Sequence, residues 1–164
     1  MAMNGIASTS MRQKGLAYKI NFGLAIQQIK TISSSYQPSA SLAELLWKED
    51  TRELKILATM LYPVEEFSEI TADKWIREIP NQEIREQVCF NLLQELPYAV
   101  ESGNAWSTDM DKNVRCTGYW LLSRLLLVKK TNALNFATFI FIEEDIISEN
   151  NLLRNASLLL LKHI

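Results

Sequence analysis

Apolar residues recur along this chain at intervals of three and four, the spacing that lines one face of a helix. The clearest run is Ile84, Val88, Leu92 and Leu96, joined by Cys89 and Leu93, and Pro97 follows it directly. Leu54, Leu57, Ala58 and Leu61 predict another helix, ended by Pro63. Val114, Leu121, Leu122, Leu125 and Leu126 predict a long one, with Asp111 as its N-cap. Lys129 and Lys130 sit in its last turn, where the helix dipole favours cations. Leu152, Leu153, Ala156, Leu159 and Leu160 give a final amphipathic helix.

Shorter elements fall between these. Residues 6–14 predict a first helix stopped by Gly15, and a connector leads to Gly23. A second helix carries Ile26, Ile29 and Ile32 and breaks at Pro38. Ser41-Leu42-Ala43-Glu44 reads as a capping box opening a short helix that ends near Trp47. Thr71 is the expected cap of a helix with Trp75, Ile76 and Ile79. Residues 101–104 read as a loop around Gly103, with Trp106 beyond it either as an exposed aromatic or as a ring plugging the core. Residues 132–142 suit a buried strand as well as a helix, and helix is expected because no partner strand is visible.

Composition narrows the class. Five glycines and four prolines are too few turn formers for a many-stranded sandwich. With 48% hydrophobic and 22% charged residues, 164 residues suit one globular domain spanning 1–164. No apolar stretch approaches the roughly 18 residues of a membrane span. Residues 1–10 lack the features of a signal peptide, so the cytoplasm is the expected compartment. Cys89 and Cys116 lie in apolar helical patterns and read as buried thiols. His163 is the single histidine and lies at the extreme C-terminus, so a multi-histidine zinc site, a Ser-His-Asp triad or a Cys-His pair is not expected. No cofactor and no metal is expected.

Charge is unevenly spread. The net charge is −2, yet residues 1–43 carry Arg12, Lys14, Lys19 and Lys30 with no acid, and the remainder carries −6. A second acid-free stretch runs from 112 to 130. Two readings stay open: one phosphate-facing surface, or separate solvated faces.

Several segments together resemble the DNA alkylation repair family of HEAT-like proteins, the AlkC/AlkD type. They are Met11-Arg12, Gly15-Leu16 and Tyr18 to Gly23 leading into Ile26-Gln27-Gln28-Ile29-Lys30; Leu45-Leu46-Trp47 before Arg52 to Ala58; Trp75 with the helix over 81–93; and Val114-Arg115 entering a long apolar helix. The resemblance covers about residues 5–128 and implies an all-α, right-handed superhelix of antiparallel helix pairs, a HEAT-like or ARM-type α-solenoid. It implies duplex DNA as partner, no membrane, and metal-free hydrolysis of the N-glycosidic bond of N3- or N7-alkylated purines.

In that chemistry a carboxylate stabilises the oxocarbenium-like sugar as the cationic base departs. The family's active pattern is a Trp followed four residues later by an Asp. Here Gln82 stands at the aromatic position and Glu86 at the carboxylate position. Glu86 is thus the catalytic candidate, with a surface acid as the alternative. Arg115 falls near the family's phosphate-gripping arginine, and Lys112, Arg12, Lys14 and Lys19 are further DNA-binding candidates. Loss of the ring at Gln82 keeps a second reading open, a catalytically silent helical-repeat protein that binds a protein partner or recognises lesions.

Overall fold

The computed structural model describes residues 4–13, 18–132 and 134–164. Among them the chain forms ten α-helices, two short 3-10 turns and one isolated bridge between Ile20 and Thr51. It divides into two compact units, Met1–Phe67 and Ser68–Ile164.

The first unit holds α1 (Gly5–Gln13), α2 (Ile26–Ser33), α3 (Ala40–Lys48) and α4 (Arg52–Leu61). Helices α2 and α3 pack on α4. Helix α3 begins before the predicted Ser41 box. Ser39, extended behind Pro38, is the N-cap, and its Oγ accepts from the Leu42 N–H at 3.3 Å. At the head of α4, Arg52 and Glu53 form a buried ion pair at 2.9 Å. Glu53 also accepts from the Phe22 and Leu24 N–H groups at 3.0 and 3.2 Å, and Arg52 donates to the Leu24 carbonyl at 2.7 Å. This pair therefore ties the 22–24 segment to α4. Gly23 between those anchors has φ +70, and a Cβ there would meet the Asn4 carbonyl at 2.4 Å. Both the left-handed backbone and the close approach require glycine.

The second unit holds α5 (Glu69–Arg77), α6 (Gln82–Asn91), α7 (Ala99–Trp106), α8 (Lys112–Leu127), α9 (Phe136–Asp145) and α10 (Asn151–His163). Helix α8 is its centre, packed by α5, α6, α7 and α10. Its Cys116, Tyr119 and Leu122 join Ile142, Leu153, Ala156 and Leu160 in one apolar cluster.

Further details differ from the sequence reading, among them the end of α8 at Leu127, which leaves Lys129 and Lys130 beyond its last turn. Ser68, not Thr71, caps α5, because Thr71 lies a turn inside and donates its N–H to Ser68 Oγ. Helix α6 stops at Asn91 and tightens into a 3-10 turn at Leu93–Glu95. The proline after Leu96 disfavours helical backbone there, and Leu96 is extended. Residues 101–104 are helical within α7. Gly103 serves close packing instead of a turn: a Cβ would lie 2.9 Å from Leu122 Cδ2. Of the two readings of Trp106, the structure shows the buried one.

The ambiguous segment is helical from Phe136, and its buried residues Thr138, Ile142 and Asp145 follow helical spacing. No helix among the described residues is long and apolar enough to cross a membrane. No group of three His, Cys, Asp or Glu suited to a metal occurs among them either.

Candidate nucleic-acid interface

Helix α6 places Gln82, Arg85 and Glu86 on one face, since residues three and four apart are neighbours on a helix. Asn81 caps this helix, accepting from the Ile84 N–H at 3.1 Å. Gln82 then joins the two charged residues. Its Nε2 donates to Glu86 Oε1 at 3.0 Å, and its Oε1 accepts from Arg85 Nη1 at 2.7 Å. The glutamine standing where the resemblance expects a ring is therefore a polar link between a guanidinium and a carboxylate.

Glu86 opens onto a cleft of about 320 Å³ lined also by Gln87, Phe90, Trp120 and Arg124. Phe90 is one turn further along α6 and exposed. Arg124 comes from α8, with its guanidinium carbon 5.0 Å from the Phe90 ring centre. Two of its nitrogens donate to Gln94 Oε1 at 3.2 and 3.0 Å. Trp120, half-buried, packs one side against the apolar cluster of the unit. One carboxylate, one guanidinium and two rings thus border a single opening.

Arg115 lies elsewhere in the unit. It is buried and donates to Asp145 through Nε at 2.6 Å and Nη2 at 3.0 Å, while Nη1 donates to the Asp109 carbonyl at 2.7 Å. Tyr119 donates its hydroxyl to the same Asp145 at 2.7 Å. Burial, and then this carboxylate, hold the Tyr119 hydroxyl protonated well above the ordinary phenol range. Asp145 is accordingly an internal counter-ion. A bidentate pair of this kind, with both partners buried, locks α8 to α9.

Lys112 is exposed at the first position of α8. It borders a second, smaller cleft of about 70 Å³ with Arg85, Asn113, Cys116 and Asn150. Arg12, in the last turn of α1, and Lys19 are exposed in the first unit. The Lys19 N–H donates to Asp50 Oδ2 at 3.2 Å. Lys14 lies outside the described residues. Both cysteines are buried and free. Burial pushes the Cys89 thiol up to about 12, so it carries no thiolate chemistry at neutral pH.

Phe90, Trp120 and Arg124 were not among the residues singled out from the sequence. A signal for Phe90 was present: it breaks the Ile84–Val88–Leu92 stripe and stands four residues after Glu86. Trp120 and Arg124 become partners of α6 only through the packing of α8.

A family model described as DNA alkylation repair enzyme matches residues 8–164. The fold is similar, at a TM-score of 0.82, to a solved structure described as "a new family of proteins related to the HEAT-like repeat DNA glycosylases with affinity for branched DNA structures". Identity to it is 19%, over 99% of this chain and 71% of that one. At this identity the likeness shows the fold, an all-helical HEAT-like repeat. No curated protein matches the sequence.

Proposed function

The chain belongs to the DNA alkylation repair enzyme family, and from that footing we propose that it is a DNA-binding recognition protein whose cleft beside Glu86 receives a nucleotide. The observation that carries this reading is the composition of that cleft: Phe90 and Trp120 with Arg124 and Glu86. Aromatic rings take up bases by stacking, and guanidinium groups engage phosphate. The affinity for branched DNA described for the structurally similar proteins makes junctions the substrate to compare with plain duplex.

Excision of N3- or N7-alkylated purines is disfavoured in this reading. Such bases are cationic, and Arg124 shares the cleft with Glu86. A like charge about 5 Å away costs about 3 kcal/mol at an effective dielectric of about 20. Gln82 further occupies one Glu86 oxygen and couples it to the Arg85 charge. The field available to an oxocarbenium-like sugar is correspondingly weakened.

A second reading, metal-free base excision with Glu86 as the catalytic carboxylate, is favoured by the opening of that carboxylate onto an accessible cleft. One experiment separates the two. Purine release from methylated duplex DNA is followed with the native chain and with Glu86→Gln, beside retention on duplex and branched DNA. The recognition reading expects binding with no release above background from either protein. Release by the native chain that is lost in Glu86→Gln establishes excision instead. Absence of DNA retention at low salt removes both.

A further inference from the structure

Three arginines are buried among the described residues: Arg52, Arg85 and Arg115. Arg52 is paired with Glu53 and Arg115 with Asp145. Arg85, only 1% exposed, has no carboxylate partner among the described residues. Its donors reach neutral oxygens instead, on Thr117 at 3.1 Å, on Gln82 at 2.7 Å and on Asn113, and Glu86 is reached only at second remove through the Gln82 amide. A buried charge is ordinarily paired, because desolvation without a counter-ion costs several kcal/mol.

The surroundings of Arg85 raise the local potential further. It forms the buried floor of the 70 Å³ cleft, whose rim carries the exposed Lys112 and Asn150. Among the described residues no acid lines this cleft. The neighbouring Asp111 turns its Oδ1 onto the Asn113 and Val114 N–H groups at 2.8 and 3.4 Å, capping α8. Asn150 caps α10, accepting from the Leu152 and Leu153 N–H groups at 3.1 Å each. Helices α8 and α10 therefore both begin at this cleft, and their dipoles add positive partial charge.

We propose that this cleft is a phosphate subsite, in which one phosphate oxyanion enters between Lys112 and Asn150 and supplies the counter-charge that Arg85 lacks. A phosphodiester of the DNA backbone and free inorganic phosphate share this chemistry. The DNA source rests on the DNA-binding reading above; the anion site itself does not.

Asn150→Asp is the decisive variant. Aspartate caps a helix as well as asparagine, so folding is retained. The added carboxylate also supplies the missing counter-ion, so the variant melts higher than the native chain in chloride buffer. It repels a phosphate for the same reason. The native chain gains thermal midpoint as inorganic phosphate replaces chloride at matched ionic strength, and the gain is absent in Asn150→Asp. An equal phosphate effect on both proteins, which is the general salting effect, overturns the proposal.

A DNA arm identifies the source. Lys112→Gln makes the log–log salt dependence of duplex binding shallower by about one if the backbone occupies the cleft. An unchanged slope, with the phosphate effect intact, assigns the site to free phosphate and leaves DNA binding standing. Loss of DNA binding altogether, with the phosphate effect intact, removes the functional reading above and keeps the subsite.

Discussion

Replacing Arg115 with methionine distinguishes an arginine that builds the fold from one that grips DNA. The substitution removes a bidentate pair whose partners have side chains only 7% and 5% exposed. It leaves Asp145 buried with the Tyr119 hydroxyl as its remaining side-chain donor. Breaking a buried ion pair from one side costs about 3–5 kcal/mol. The Asp109 carbonyl loses a charge-assisted bond as well, which keeps the expected cost toward the upper end. For a chain of this size about 1 kcal/mol moves the midpoint by roughly 2–4 °C, so a fall of about 6–20 °C is expected.

Urea unfolding followed by circular dichroism gives the free energy directly. The triple change Arg115→Met, Asp145→Leu, Tyr119→Phe removes all three polar groups together and should regain much of the loss, because an apolar replacement leaves no orphaned charge. DNA affinity of the single variant, measured below its melting range, should change by less than threefold. A variant that keeps native stability but loses DNA affinity tenfold or more refutes this reasoning and restores Arg115 as a phosphate contact.

Other consequences follow from the same packing. Gly118→Ala places a Cβ 2.3 Å from the Ser107 backbone nitrogen, a clash with main chain that should cost about 1–3 kcal/mol or more in urea unfolding. Asp111→Ala removes the α8 N-cap and should cost about 0.5–2 kcal/mol, with little effect on α6. Cys89 keeps its proton up to about 12 in the fold, against an ordinary thiol value of 9.0. The unfolded chain then binds fewer protons than the folded one across that interval, so stability falls as pH rises from about 9 towards 12. Below that window Cys89 should resist thiol reagents unless the protein is unfolded.

Helix existence was legible wherever an apolar stripe ran long, as over Ile84 to Leu92 and Leu121 to Leu126. Caps were less so. Ser39 and Ser41, or Ser68 and Thr71, offer the same chemistry a few residues apart, and the preceding chain decides between them. Gly103 carried a turn signal, but its partner is Leu122 on α8, remote in sequence. The same limit governs the site. Glu86 could be nominated from its own helix, whereas Arg124 and Trp120 face it only because α8 packs on α6. Arg115 has the residue type of a phosphate contact, and nothing local reveals that Asp145, thirty residues on, engages it.

Trp120 offers the most direct test of the nucleotide cleft. Trp47, Trp75 and Trp106 are buried at 1%, 0% and 6% exposure, so Trp120 is the tryptophan open to a stacking base. Titrating the native chain and Trp120→Phe with duplex and branched DNA, under intrinsic tryptophan fluorescence, isolates that ring. The account expects saturable quenching in the native chain, nearly absent in the variant, with weaker DNA binding by the variant. Quenching of equal size in both proteins, or tight DNA binding with no change at Trp120, contradicts it.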